Sequence, residues 1–435
     1  MEKREHYRVS TEEQAVSKVR ALYEDILSKR EGDEIVGKVE ELMSLQKNDG
    51  SFSVIDDYKV DGDIVVAYVL EPTYFATAAL IHAVMNGVNI DIDHLLKGLQ
   101  FASGRRGFFG HGFEATSQLI DALNIYKKAG AYRWIKDNES KAPKFAETIK
   151  RRIAEMKSAL ATGRTFSDWE RDFSTEFRRE VKDFENEYYD HMWYVAYGSN
   201  INKDRFMQYI NNCTDTTPPI EDKAKICGFT IYFAGDSTIK WGDGGVAYLD
   251  DTRRSLTYCR MYKITPSQFA EIQSMEGGNY QRKIDLDPFM EGDCPCYTFT
   301  SDAFMKNINE PSERYFSTIM EGLKETYPDL SEKHLKTYLI SKCVKSRDTI
   351  WALMMIRTSK HAKRIGDICG FENDSQLLDA IKNLDKIGLI KEDKRSVRRG
   401  LDITDPDALV YTTDDMREIA DLLIMGSNEK TEVVS

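Results

Sequence analysis

The sequence predicts a multidomain α+β protein: an N-terminal α-helical repeat, a central small β-barrel carrying α-helices, and a C-terminal module of short helices with a basic hairpin. Three observations predict it. At 435 residues the chain is long enough for two to three ordinary domains. Helical hairpins recur in the first third, and an apolar β-favouring run from Trp193 to Tyr197 stops abruptly at Gly198-Ser199-Asn200.

Composition narrows the class. With 41% hydrophobic and 30% charged residues the chain can bury cores and stay soluble. The opening "MEKREHYRVSTEEQ" is polar throughout, and nothing approaches the roughly 18 apolar residues of a membrane span. The expectation is a cytoplasmic protein with no membrane partner. Seven scattered cysteines, of which only Cys294 and Cys296 are close, read as reduced structural thiols rather than a metal site. A net charge of −12 argues against a chain that coats nucleic acid as a whole, and leaves room for one basic module.

Residues 1–142 are expected to form the helical-hairpin repeat. "LMSLQKNDGSF" precedes "YFATAALIHAV", and "LLKGLQFASGRRGFFG" precedes "FEATSQLIDALNIYKKAG", with Leu45 and Leu99 equivalent and 54 residues apart. These Gln-x-x-Asp-Gly-Ser-Phe turns resemble those of α/α-toroid proteins, although two copies are too few to close a toroid. Asp49, Asp61 and Asp63 read as solvated loop acids, and the segment as a scaffold for a protein partner. Residues 143–190 are expected to be a charged helical connector. Phe145, Ile149, Ile153, Met156 and Leu160 make one apolar stripe, and Phe173, Phe177, Val181, Phe184 and Tyr188 a second after Gly163.

At the other end, residues 357–400 hold eleven Lys/Arg against seven Asp/Glu. "TIWALMMIR", "AKRIGDICGF" and "DSQLLDAIKNLDKIGLI" predict three short helices, the last stopped by Gly388. "KEDKRSVRRG" and "ALVYTT" predict a basic β-wing. Residues 343–425 so read resemble a winged helix, a module that docks DNA or protein, with Lys394, Arg395, Arg398 and Arg399 as the phosphate contacts. Residues 426–435 read as a disordered tail.

The central segment, residues 191–342, carries the chemistry. In "MWYVAYGSNINKDRF" a strand ends at Gly198-Ser199-Asn200 and a helix begins near Asn202. Glycine permits positive φ, Ser and Asn suit caps, and the unpaired amides of a helix start attract an anionic oxygen. "FAGDSTIKWGDGGVAYLDD" supplies a glycine turn before a strand, "LTYCRMYKIT" another strand, and "PSQFAEIQSMEGGNYQR" a helix ending at Met275-Glu276-Gly277-Gly278.

That order resembles the γ-glutamylcyclotransferase family, including its members that act on γ-glutamyl-amine groups. The resemblance rests on Tyr197-Gly198-Ser199-Asn200, on Ser237, Trp241, Gly244, Gly245 and Ala247, on Tyr262-Lys263-Ile264-Thr265, on Glu276, Gly277, Tyr280 and Arg282, and on the Pro311-Ser312-x-x-Tyr315 helix. The chain departs from the family at Ile272-Gln273 and at Cys259-Arg260, which bears on substrate choice more than on fold. The resemblance implies release of 5-oxoproline and a free amine from a γ-glutamyl amine, small or protein-linked. Glu276 would be the single carboxyl that takes and returns a proton, most effectively in a partly apolar setting. Gly198, Ser199 and Asn200 would bind the substrate's carboxylate or the oxyanion, and Tyr197 and Tyr280 would line the pocket. The attack is intramolecular, so the chemistry requires no nucleophilic side chain, cofactor or metal. The flanking domains imply a large substrate. An alternative keeps the barrel as a non-catalytic sensor of a γ-glutamyl ligand and uses residues 345–425 to touch DNA or a protein partner.

Overall fold

Apolar residues at helical spacing dominate the first part of the chain, and the computed structural model folds it as helices Val9–Ser28, Gly32–Met43, Glu71–Met85, Ile92–Ala102, Phe113–Lys128, Ala131–Asp137, Pro143–Ala161 and Asp168–Tyr188. The structure describes residues 9–29, 32–52, 70–103, 113–161, 168–235, 240–277, 280–289, 293–301, 308–343, 347–357, 362–369, 375–413, 416–417 and 419–421. Asp61, Asp63, Gly163, Ser237, Gly278, the second repeat turn at 104–112 and the tail 426–435 lie outside them. The chain divides into two units, Met1–Asp190 and His191–Ser435.

In the first unit the Glu71–Met85 helix is apolar nearly all round, which places it at the centre of a helical core. The Gln46 turn ties two helices to each other: Gln46 Nε2 donates to the carbonyls of Gly50 (3.0 Å) and His94 (2.8 Å). Asp49 is occupied locally, accepting from the Ser51 amide and hydroxyl at 2.9 and 2.7 Å. Phe145, Ile149, Ile153, Phe177, Val181, Phe184 and Tyr188 are buried in the same core as the preceding helices. The two charged helices are therefore part of the N-terminal unit, because each stripe finds its apolar partner there, and the buried pair Lys157–Glu185 joins them.

The second unit is built on a five-stranded sheet in the order β2-β3-β1-β5-β4, where β1 is Met192–Ala196, β2 Glu221–Ala234, β3 Val246–Ile264, β4 Arg282–Asp285 and β5 Cys296–Thr300. β1 is central, antiparallel to β3 and parallel to β5. Every residue of β1 is buried, which explains its continuous apolar run. Tyr194 and Ala196 face one cluster with Phe206, Tyr262 and Phe269, while Trp193 and Val195 face another with Cys259, Met261 and Ile319. The two strands read from the sequence around Val246 and Leu256 are one strand, β3. Register shifts across from Cys227 to Thr230 let it bend without breaking its ladder with β2.

Helices Glu313–Thr326 and Glu332–Cys343 cover one face, and the apolar core continues without a gap into Arg347–Arg357, Ile365–Cys369 and Ser375–Lys386. A three-stranded antiparallel sheet follows, in the order β6-β8-β7, with β6 Lys363–Arg364, β7 Lys391–Glu392 and β8 Leu409–Tyr411. One expectation is corrected here. Lys394–Arg399 is a helix rather than part of a β-wing, because Asp393 caps it by accepting from Arg395 N and Gly400, at φ +69°, ends it.

Two expectations about behaviour follow. A Cβ on Gly322 would lie 2.4 Å from the Asn202 backbone nitrogen, so the Glu313–Thr326 helix and the segment leading from β1 must part if it is added. Gly322→Ala should lower stability by about 1–3 kcal/mol despite alanine's better helix propensity, read as a lower urea midpoint. All seven cysteines are free, and burial pushes the Cys294 thiol up to about 12. Its thiolate at pH 8 is then scarcer than in the unfolded chain on the order of a thousandfold, and mass spectrometry should show iodoacetamide labelling only after denaturation.

Candidate active site

β1 delivers the chain to Tyr197 and Gly198, after which Ser199–Ile201 form a 3-10 turn and Asn202 caps the Lys203–Ile210 helix, accepting from Arg205 N at 2.9 Å. Gly198 has φ −108°, so the expected positive φ is not what requires glycine there. Space requires it: a Cβ would stand 2.9 Å from the Tyr315 hydroxyl and 3.3 Å from Ala247 Cβ. Tyr315 is held in turn. Its hydroxyl accepts from Ala247 N at 3.2 Å, and Ser312, the cap of its helix, donates to the Trp241 carbonyl at 2.5 Å.

Glu276 arrives from another direction. The Pro266–Glu276 helix starts at a capping box, with Thr265 accepting from Gln268 N and Gln268 reaching back to Thr265 N, and Gly277 at φ +69° stops it. The last side chain of that helix is thereby aimed at the loop after β1. Asn200, 5% exposed, donates from Nδ2 to Glu276 Oε1 at 2.9 Å and to the Tyr194 hydroxyl at 3.0 Å. The Asn200 carbonyl accepts from the Tyr262 hydroxyl at 3.0 Å. Tyr209 lines the same cavity as Glu276, and its oxygen accepts from Arg205 Nη2 at 3.0 Å.

These groups enclose a cavity of about 130 Å³ that Gly198, Ser199, Asn200, Glu276 and several tyrosines line. It is well below the roughly 300–1,000 Å³ of a drug-sized pocket, so only one small group fits inside. Burial first, and the Glu276 charge next, raise the phenols of Tyr194 and Tyr209, which remain protonated donors. Lys240 at the rim is held below its ordinary value by burial and by Arg205, against the opposing pull of Glu276. The site therefore offers one carboxylate, fixed amide and phenol donors, and a cation. Among the described residues no group of three or more His, Cys, Asp or Glu could hold a metal ion.

The structure brings Tyr197, Gly198, Ser199, Asn200, Glu276 and Tyr280 to one cavity. Tyr197 and Tyr280 line it with rings only, because their hydroxyls donate to the carbonyls of Phe299 (2.6 Å) and Ala247 (2.8 Å). Lys394, Arg395, Arg398 and Arg399 are elsewhere, exposed on their short helix, with Arg395 paired to Asp393. Sequence reasoning missed Tyr194, Tyr209 and Lys240 as lining residues. The Arg205–Tyr209 spacing on one helix face was the available signal for Tyr209, while nothing local marks the other two.

No family model matches the chain. Histone deacetylase 5 of Arabidopsis thaliana is 32% identical over 101 residues, which is 20% of this chain and 15% of that protein, so the chain spans a small part of that relative's length. Among solved structures, a gamma-glutamyl cyclotransferase is similar at TM-score 0.27 and 20% identity, over 34% of this chain and 86% of its own. The uncharacterized protein loc79017 from Homo sapiens is similar at the same TM-score and identity, over 34% of this chain and 88% of its own. At that level of superposition the likeness assigns no activity and no residue roles.

The Gly198–Tyr315 contact can be checked by a double-mutant cycle. Gly198→Ala should cost about 1–3 kcal/mol in urea unfolding, and the cost should shrink in a Tyr315→Phe background, where the clashing oxygen is gone.

Proposed function

We propose that this site is a γ-glutamyl-amine cyclotransferase, releasing 5-oxoproline and a free amine. The observation that carries the reading is Glu276 fixed by Asn200 of the Tyr-Gly-Ser-Asn loop at the wall of a cavity sized for one small group. The order of the five motifs that resemble the γ-glutamylcyclotransferase family supports it.

In the reaction the substrate's α-amine attacks its own γ-carbonyl. Glu276 takes a proton from the α-ammonium so that the amine can attack, and the lactam C–N bond forms as the C–N bond to the leaving amine breaks. The same carboxyl returns that proton to the leaving nitrogen, and the second proton shed by the ring nitrogen leaves with the released amine as its ammonium. Holding the glutamyl unit folded supplies much of the rate, since both reactants are in one molecule. Gly198, Ser199 and Asn200 line the cavity, and their amides would bind the substrate carboxylate or the oxyanion, where one donor commonly supplies roughly 3 kcal/mol. Asn200 acts on Glu276 rather than on substrate: its amide donor holds the carboxylate in one orientation. Because the cavity admits only the glutamyl end, the leaving amine belongs to a part of the substrate that stays outside, which accommodates a large or protein-attached substrate.

Release of 5-oxoproline from γ-glutamyl amines, followed by mass spectrometry, tests this. Glu276→Gln should lower turnover by roughly 10²–10⁴-fold while leaving thermal stability within experimental scatter. Turnover retained in that variant would remove Glu276 from the role. Binding of γ-glutamyl compounds with no release by the wild type would make the barrel a sensor.

A further inference from the structure

The mouth of the cavity is cationic. Lys240 lines it, and both Arg205 and Lys240 donate to the Tyr209 hydroxyl, at 3.0 and 3.3 Å. The Arg205 guanidinium lies 4.5 Å from the centre of the Tyr209 ring and 5.7 Å from that of Trp241. Arg314, on the first turn of the Glu313–Thr326 helix, lies 5.9 Å from the Trp241 ring, so one indole joins the two guanidinium groups. Aromatic faces hold such groups in place and leave their N–H edges available.

Glu276, inside the cavity, is the carboxylate that acts on Lys240. Among the described residues none of the three cations forms an ion pair, although Asp204, Asp243 and Glu313 are near them in sequence. Three other cations of this unit are paired with carboxylates: Lys203 with Asp222 at 2.7 Å, Arg260 with Asp222 at 2.5 Å, and Arg282 with Asp251 at 2.7 Å. In a chain of net charge −12, three cations gathered on Tyr209 and Trp241 beside one small cavity are a local concentration of positive charge among the described residues.

We propose that Arg205, Lys240 and Arg314 form a second subsite, and that the leaving amine of the substrate bears two or more carboxylates, as in a γ-linked glutamyl peptide whose first unit fills the cavity. The inference rests on the γ-glutamyl reading of that cavity. A guanidinium meets a carboxylate through two parallel hydrogen bonds, which suits Arg205 and Arg314 to the outlying carboxylates and leaves Lys240 for the one nearest the scissile bond. A leaving group that ends in an ammonium meets like charge at the same place.

The test compares γ-glutamylethylamide, γ-glutamylalanine and γ-glutamylglutamate, whose leaving amines carry no, one and two carboxylates. KM is measured with the full-length chain, and Kd by calorimetry with Glu276→Gln. Affinity should rise along the series, by roughly tenfold overall for charge-assisted contacts, and the rise should fade at high salt. Arg314→Gln should narrow the gap between the last and first compounds to below roughly threefold, and Arg314→Lys, which keeps the charge but loses the planar fork, should restore it only in part. Equal affinities in the wild type, or a gap that Arg314→Gln leaves intact, would overturn the subsite. If no compound yields 5-oxoproline, the catalytic reading fails by itself, and the calorimetric series still decides the subsite: a rise that Arg314→Gln narrows upholds it, and a flat series removes it.

Discussion

The buried amide of Asn200 is the interaction on which the site depends. From one nitrogen it reaches both the Tyr194 hydroxyl and the Glu276 carboxylate, and so ties the central strand to the end of a helix 76 residues further along the chain. A buried carboxylate contact of this kind is worth having only when the donor is itself immobile. Here the backbone of Asn200 is pinned by Tyr262 on β3, and its side chain is enclosed by tyrosines. The amide nitrogen joins strand, loop and helix, while Asn200 Oδ1 is buried without a hydrogen-bond partner among the described residues, so the network is satisfied on its donor side only.

A second constraint is steric. Gly198 passes so close to Tyr315 that no side chain fits between them, and the Tyr315 hydroxyl in turn meets the Ala247 amide on β3. Further along the same helix Gly322 lets the Asn202 backbone approach. The Glu313–Thr326 helix thus sets the path of the Gly-Ser-Asn loop from both ends. The apolar core behind it runs on through Leu339 and Ile340 to Ala352 and Leu353, so the C-terminal helices buttress the wall that shapes the cavity.

Electrostatics divide the site into an inside and an outside. Inside, Glu276 shares the cavity with Tyr194 and Tyr209, whose burial keeps their phenols protonated. Outside, Arg205, Lys240 and Arg314 crowd round Tyr209 and Trp241.

The sequence by itself determined the local pieces: the strand that stops at Gly198, the helix that Gly277 ends at Glu276, the capping residues Thr265 and Ser312, and the glycine turn before β3. Period and punctuation are properties of short windows, so those elements are legible there. Only the tertiary structure decided which pieces meet. The reason for Gly198 is a tyrosine far along the chain rather than its own φ, and Lys394–Arg399 became a capped helix where β-propensity alone left a wing plausible. The charged helices of residues 143–190 read as a connector because their apolar stripes show that a partner exists but not where it lies. Tyr194, Tyr209 and Lys240 entered the site for the same reason: proximity across a sheet and a helix is set by long-range packing, which no local pattern encodes.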